Sequence, residues 1–458
     1  MPQIEALRTK HRTVRRPCDA RSLEEGVRQR LADKVSGTMV GLWLLIGEHL
    51  RLGTWDLLSG WTGPGVSPAA PRVAMQMVHE AALCVSGIRE RRSLTAHDFE
   101  LLNGLPFVAS DGAVHDLLNA HTIDQAQAVQ VALGRIRQSR GHFPGALLAI
   151  DPHRLPSTSK RHMRRHKTHA QEIARKAMQT FFCLDAVTAQ PLCLTSGSSA
   201  RTVAQATPEL LDLAAAILGP KARGVLVLAD TEHFTGELLD AVHQQTPFDL
   251  LTPMPRQRDL EQRAADLPPE AFGRCWAGLA MAKRPYTPVH SKAGPYWMIV
   301  QRSGEDPRQW HYKSFLCTSD RPEVDLLTRD FPQRWHIEEF FNVNQALGWQ
   351  HAGTQNLHIR YGRMTMALMA QAALHQLRQR LGPAQQTWNA QQFATKVLRG
   401  LDGDVRVEGD RIVVTYYNAK EILPYREQFE DLPARLSQEK VDPRIPWLYG
   451  YRLDFQFR

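Results

Sequence analysis

Three carboxylates define the chemistry this chain is equipped for. Asp151 follows the apolar run from Gly145 to Ile150, Asp230 follows the run from Gly224 to Ala229, and Glu338 lies in the stretch from Phe331 to Phe341. Short continuous apolar runs read as buried strands, so each aspartate falls at or just past a strand's C-terminal end. Two aspartates on the ends of adjacent strands can lie side by side. A glutamate on a helix packed over the same sheet can complete a three-carboxylate cluster. Three buried like charges repel, and the arrangement is costly unless cations fill it. Magnesium suits it, as a hard cation held by carboxylate oxygens with positions left for water and phosphate. Two such ions about 3.5–4 Å apart activate the attacking oxygen and stabilise the leaving one in an in-line phosphoryl displacement.

The glutamate's stretch reads as the start of a helix. Asp330 is placed as an N-cap and Pro332 sits where a first-turn proline is tolerated. Ile337, Phe340 and Phe341 recur at helical spacing as an apolar face. At about 100° per residue, Arg334, Glu338 and Gln345 share a stripe roughly 40° wide, while Glu339 points away from it. One carboxylate is therefore presented beside an arginine and next to an aromatic face.

The order strand–Asp151, hairpin, helix, strand–Asp230, helix–Glu338 resembles the DDE transposases of bacterial insertion sequences. The branch it looks most like has a β-rich insertion before the glutamate and the signature Y-x-x-R-x-x-x-E-x-x-x-x-x-x-K. Arg334 and Glu338 match that signature; Phe331 stands where the tyrosine is usual and Gln345 where the lysine is usual. The resemblance covers about residues 145–380. It implies an RNase H-like catalytic core in which Asp151, Asp230 and Glu338 bind magnesium, with manganese able to substitute, and Arg334 stabilises the phosphoryl transition state. The implied partner is double-stranded DNA, both the transposon's terminal inverted repeats and a target, bound by a homodimer in a synaptic complex. The implied setting is the bacterial cytoplasm, in association with the nucleoid. In such enzymes the tyrosine and lysine help hold end phosphates during hairpin processing. Phe331 keeps the packing without the hydroxyl, and Gln345 keeps the reach without the charge. Two other readings stand beside this one: an RNase H-like nuclease that cuts without joining, and a domesticated DNA-binding protein that kept the fold.

The elements that must position these acids give a chain in five parts. Residues 1–142 read as a helical N-terminal domain assigned to DNA-end binding. Its helices are marked by Leu23, Val27 and Leu31, by Met39 to Leu50, by Pro71 to Cys84, by Ser93 to Glu100 and onward, and by Ile123 to Ile136. Residues 143–255 read as the first part of the core, including a hairpin of Thr180 to Val187 and Pro191 to Thr195 and a helix from Pro208 to Leu218 capped by Thr207. Residues 256–322 read as the β-rich insertion. Residues 323–395 complete the core with the glutamate helix and an amphipathic helix from about Leu357 to Leu381. Residues 396–458 form a small mixed C-terminal segment assigned to dimerisation, with a hairpin of 404–408 and 411–417 around Gly409 and Asp410 and a last strand near Tyr451 to Phe457.

Basic residues gather in two places. Arg8, Lys10, Arg12, Arg15 and Arg16 form an N-terminal arm, and Lys160, Arg161, Arg164, Arg165 and Lys167 follow the first aspartate. Both clusters suit contact with a DNA backbone. His162 and His166 stand four apart in the second cluster, but arginines surround them and no glutamate lies between them, so a metal pair is not expected.

Bulk properties agree with this reading. The chain has 458 residues, 43% hydrophobic and 22% charged, as expected of a globular protein with a substantial core. A net charge of +9 favours a polyanionic partner. Six scattered cysteines with no C-x-x-C pair read as reduced thiols. The basic, polar N-terminus has no signal-peptide apolar region, and the longest apolar run, Met39 to Ile46, is too short to span a bilayer.

Overall fold

The computed structural model describes residues 19–33, 35–37, 39–63, 67–85, 88–94, 98–157, 160, 162–166, 173–350, 354–420 and 422–458. The N-terminal basic arm, Arg161 and Lys167 lie outside the described residues.

The fold is mixed α/β, and the chain divides into two compact units. One comprises Met1–Leu117, Ala373–Thr387 and Gln392–Arg458; the other comprises Leu118–Ala372 and Trp388–Gln391. This differs from the five-part reading at both ends. The helix Ile123–Ser139 belongs to the second unit, not to an N-terminal domain ending at 142, and the C-terminal strands belong with the N-terminal helices.

The second unit carries all three acids. Its strands are β1 (Leu147–Pro156), β2 (Arg175–Asp185), β3 (Gln190–Gly197), β4 (Leu226–Leu228), β5 (Asp249–Pro253), β6 (Gly273–Trp276), β7 (Leu279–Tyr286), β8 (Tyr296–Ser303) and β9 (His311–Cys317). They form one sheet in the order β2-β1-β4-β5-β9-β8-β7-β6, with β3 and a two-residue strand at Arg165–His166 on the far side of β2. β1, β4 and β5 run parallel, and β2 and β3 fold back as the expected antiparallel hairpin. The insertion, read from sequence as β-rich, continues this sheet. Leu316 on β9 pairs with Thr252 on β5, so the four insertion strands extend the core outward.

The helices of this unit are α1 (Ile123–Ser139), α2 (Val203–Leu218), α3 (Gly236–Gln245), α4 (Arg258–Ala265), α5 (His336–Asn344) and α6 (Leu357–Arg380), the last continuing into the other unit. α1 and α2 each begin with a capping box, Thr122 with Gln125 and Thr202 with Gln205. The cap of α2 is thus Thr202, five residues before the expected Thr207, and Pro208 lies inside the helix. Gly134 lets α1 meet α2 closely: a Cβ there would stand 2.7 Å from Ile217. α2, α3 and β1 to β5 enclose a core that includes Leu148, Ile150, Leu210, Val227 and Leu250. α6 is buried almost all round, from Ile359 to Leu377, rather than showing the one-sided burial of an amphipathic surface helix.

In the first unit, helix Ala20–Ala32 buries Leu23, Val27 and Leu31 as their spacing predicts, whereas Ala70–Ala82 is buried almost all round, Arg72, Gln76 and Glu80 included. A four-stranded sheet of Val35–Gly37, Gly403–Glu408, Arg411–Tyr416 and Arg452–Phe457 completes it, and includes the hairpin expected around Gly409 and Asp410. Trp447 is fully buried and donates its indole N–H to the Leu102 carbonyl at 2.9 Å, tying the C-terminal segment to the N-terminal helices. No described helix is long and apolar enough to cross a membrane.

Candidate active site

The two aspartates are placed by strand register. β1 and β4 are neighbours and parallel, with Ala149 opposite Leu228. Asp151 and Asp230 each stand two residues beyond that matched pair. They therefore project at the same level of the sheet from strands spaced about 4.8 Å apart. The side-chain alternation also puts Ala149 and Asp151 on one face, leaving Leu148 and Ile150 to fill the core on the other.

Their environments differ sharply. Asp230 leaves β4 and caps the short turn Thr231–His233, accepting from the Glu232 N–H at 3.0 Å and from His233 Nδ1 at 2.7 Å. Burial raises its pKa, but hydrogen bonds from His233 and Glu232, helped by Arg334, hold it below the ordinary aspartate value. Asp151 accepts no hydrogen bond from the described residues. Burial, with Asp230 as the nearest like charge and Glu232 and Glu338 adding to it, pushes its carboxyl well above the ordinary range, against the pull of Arg334.

One clamp fixes the spacing of the pair. Arg154, three residues after Asp151, grips both carboxylate oxygens of Glu232, two residues after Asp230; its Nη1 lies 2.7 Å from Oε1. Arg154 Nε also donates to Gln179 Oε1 at 3.1 Å, which fixes the guanidinium against β2. Bidentate pairing of this kind constrains orientation as well as distance.

The glutamate arrives on a helix that changes pitch. Residues 326–330 form a wide π turn and 331–335 a 3₁₀ turn, and α5 starts only at His336. Asp330 is therefore not the N-cap expected from the sequence: its backbone is already helical, and its carboxylate accepts from Arg329 Nε at 2.9 Å. Glu338 falls in the first turn of α5, where a helix favours negative charge. His336 Nδ1 donates to the Ala186 carbonyl at 2.5 Å, tethering the start of α5 to the β2–β3 turn. An aromatic cluster seats the rest of the helix: Phe340 and Phe341 pack on Phe182, and Phe341 stacks on His153 with centroids 4.3 Å apart. His153 is drawn down to about 4 by burial and by Arg360, so the stacked ring is neutral.

Arg334 Nη2 donates to Glu338 Oε1 at 3.0 Å, as their shared stripe predicts. Gln345 does not join them; it lies beyond α5 in a 3₁₀ turn, half-buried. Of the DNA-contact residues expected after β1, Lys160, Arg164 and Arg165 are exposed. Arg154, Glu232, His233 and His153 were not singled out from sequence. The signal for them was proximity in the chain to the two aspartates, on the same strand or in the same turn.

The donor chemistry fits a divalent cation: two register-matched aspartates, one of them buried without a hydrogen-bond donor, and a glutamate within electrostatic reach. Convergence is incomplete, and Glu338 is engaged by Arg334. Among the described residues no three acidic, histidine or cysteine side chains stand close enough to hold one ion.

No protein-family model matches the chain. No curated protein matches it either. Among solved structures it is similar to piggyBac transposase in a synaptic complex with hairpin DNA, at 12% identity and a TM-score of 0.40, covering 78% of this chain and 79% of that one.

Proposed function

We propose that this chain is a DNA transposase with an RNase H-like core, cutting and joining DNA ends by metal-dependent phosphoryl transfer. The observation that carries this reading is the level placement of Asp151, midway along β1, and Asp230, just past the end of the adjacent parallel β4, with Glu338 within electrostatic reach on α5. Asp151, Asp230 and Glu338 would hold magnesium, which when bound supplies charge stabilisation at the attacking and leaving oxygens of the displaced phosphate.

The chain's own residues do the rest. Arg154 and Glu232 hold the two aspartates in register, so that a phosphodiester is presented in one orientation. Positioning of this kind supplies a large share of the barrier reduction in such reactions. Arg334 has a guanidinium beside Glu338 and within reach of Asp151 and Asp230, where it can donate to a phosphoryl oxygen as negative charge develops there. The His153–Phe341 stack keeps the glutamate helix seated against β1 while DNA binds and leaves. The partners in this reading are terminal inverted repeats and target DNA, with two copies of the chain pairing the ends.

Incubating the full chain with paired element ends still joined to flanking DNA and a target plasmid in magnesium tests the reading. Strand-transfer products support it; cutting without joining supports an RNase H-like nuclease. The Arg334–Glu338 ion pair and the incomplete convergence of the acids favour one rival, a DNA-binding protein that kept the fold without the chemistry. Absence of both products with ends still bound would establish that rival.

A further inference from the structure

Beside Asp230 lies a cavity of about 480 Å³, and its far wall is basic. Arg256, which follows β5, and Lys313 on β9 line it together with Arg334. The β5–β9 pairing brings the two segments together: the Met254 N–H donates to the Ser314 carbonyl at 2.8 Å, with Lys313 next to that contact on β9 and Arg256 two residues beyond it after β5. No described carboxylate forms an ion pair with Arg256 or Lys313; the acids on the wall are Asp230 and Glu261. Lys313 is also held in place. Its ammonium lies 5.0 Å from the centre of the Phe315 ring and 5.6 Å from that of Phe331, and the two rings meet edge to face. Partial desolvation at the cavity wall, with Arg256 and Arg334 facing it, lowers the Lys313 pKa from its ordinary value.

Converging cations without a matching acid repel one another, and a bound anion relieves the repulsion. The volume is in the range of sites that take a nucleotide-sized ligand rather than a bare ion. The wall offers one forked guanidinium and one compact ammonium, both suited to phosphate oxygens. We propose that Arg256 and Lys313 form a phosphate subsite for the DNA strand, holding the backbone phosphate adjacent to the phosphodiester presented at Asp151 and Asp230. That the neighbouring phosphodiester is the reacting one rests on the function proposed above; the phosphate site itself does not. The insertion would then be part of the substrate groove, which agrees with its strands continuing the core sheet.

The test is calorimetric titration of the full chain in low salt and EDTA, with thymidine 3′,5′-bisphosphate as the probe and orthophosphate as the comparison. The wild type is expected to bind the bisphosphate more tightly than orthophosphate. Lys313→Gln and Arg256→Gln should each weaken it about tenfold, the size of one lost charge-assisted contact. Both side chains are exposed, so melting temperatures should hold. Asp230→Asn should bind the bisphosphate at least as tightly, because a negative wall charge is removed. Wild-type affinity in both glutamine variants overturns the proposal, and so does equal affinity for the two probes. Binding is read without metal or turnover, so loss of this site and loss of the transposase reading are separate results.

Discussion

Arg334 holds Glu338 through a 3.0 Å contact one helical turn apart. The glutamate's charge is thus balanced by an arginine of the 3₁₀ turn that leads into its helix. Arg334→Ala should release the carboxylate, so that manganese raises the melting temperature more than it does in the wild type. The same variant should lose about 100-fold in DNA cleavage, because a transition-state donor is gone. Thermal shift and cleavage rate moving in opposite directions is the expected signature; a parallel fall in both would show that Arg334 only supports the fold.

The surroundings of Asp151 disfavour its charged form. Its folded pKa is raised above the unfolded value, first by burial and then by Asp230. Stability present below the unfolded value of about 3.9 is therefore lost as pH rises from there through the folded value. Asp151→Asn should melt about 2–4 °C above the wild type at neutral pH without metal, the shift that ~1 kcal/mol produces in a unit of this size. The gap should close as the solution is acidified below pH ~4. A constant gap across the pH range would assign the gain to something other than the carboxylate's charge.

Divalent metal should reverse that penalty. Saturating magnesium or manganese is expected to raise the wild-type melting temperature by several degrees through preferential binding to the folded state. Asp151→Ala and Asp230→Ala should each abolish the shift. Calcium, which tolerates more ligands and longer bonds, should still bind but should not support cleavage.

The Arg154–Glu232 clamp is half open to solvent, with side chains 18% and 45% exposed, so it contributes little to stability. Arg154→Ala should therefore cost under about 1 kcal/mol in denaturant melts. It should lower cleavage by about tenfold to a hundredfold, because a displacement near 1 Å between the aspartates is enough for that. Arg154→Lys keeps charge without the fork and should recover only part of the rate.

Packing under α5 carries the opposite balance. Phe340 is 2% exposed and lies in the aromatic cluster with Phe182 and Trp349. Phe340→Ala should destabilise the second unit by about 3–5 kcal/mol. Phe340→Leu, which refills most of the space, should restore stability and cleavage together.

The sequence exposed the parts of the site that are local. Apolar runs ending in Asp151 and Asp230 announce their strands, although the first does not stop at Asp151 as expected but runs on to Pro156, held by its pairing with β2; a four-residue spacing announces the Arg334–Glu338 contact. It did not expose what depends on sheet order. That β9 pairs with β5, and so carries Lys313 to the wall beside Asp230, follows from hydrogen bonds between segments far apart in sequence. Nor did it show that Glu338's helix begins with a π turn and a 3₁₀ turn: the cap residue Asp330 and first-turn Pro332 have the right types, but the chain is already helical when it reaches them. The early start of α2 at Val203 was legible in Thr202 and Gln205, a capping box hidden by the proline that follows.

The central claim is that three acids distant along the chain act as one metal-dependent centre. Its most direct test is magnesium-dependent cleavage of DNA carrying the element ends by the wild type and by Asp230→Ala, each first shown to bind those ends equally. The account predicts cleavage by the wild type and a loss of at least about 1,000-fold in the variant, as expected when a metal-holding carboxylate is removed from a two-metal site. Cleavage by Asp230→Ala at near wild-type rate would contradict it.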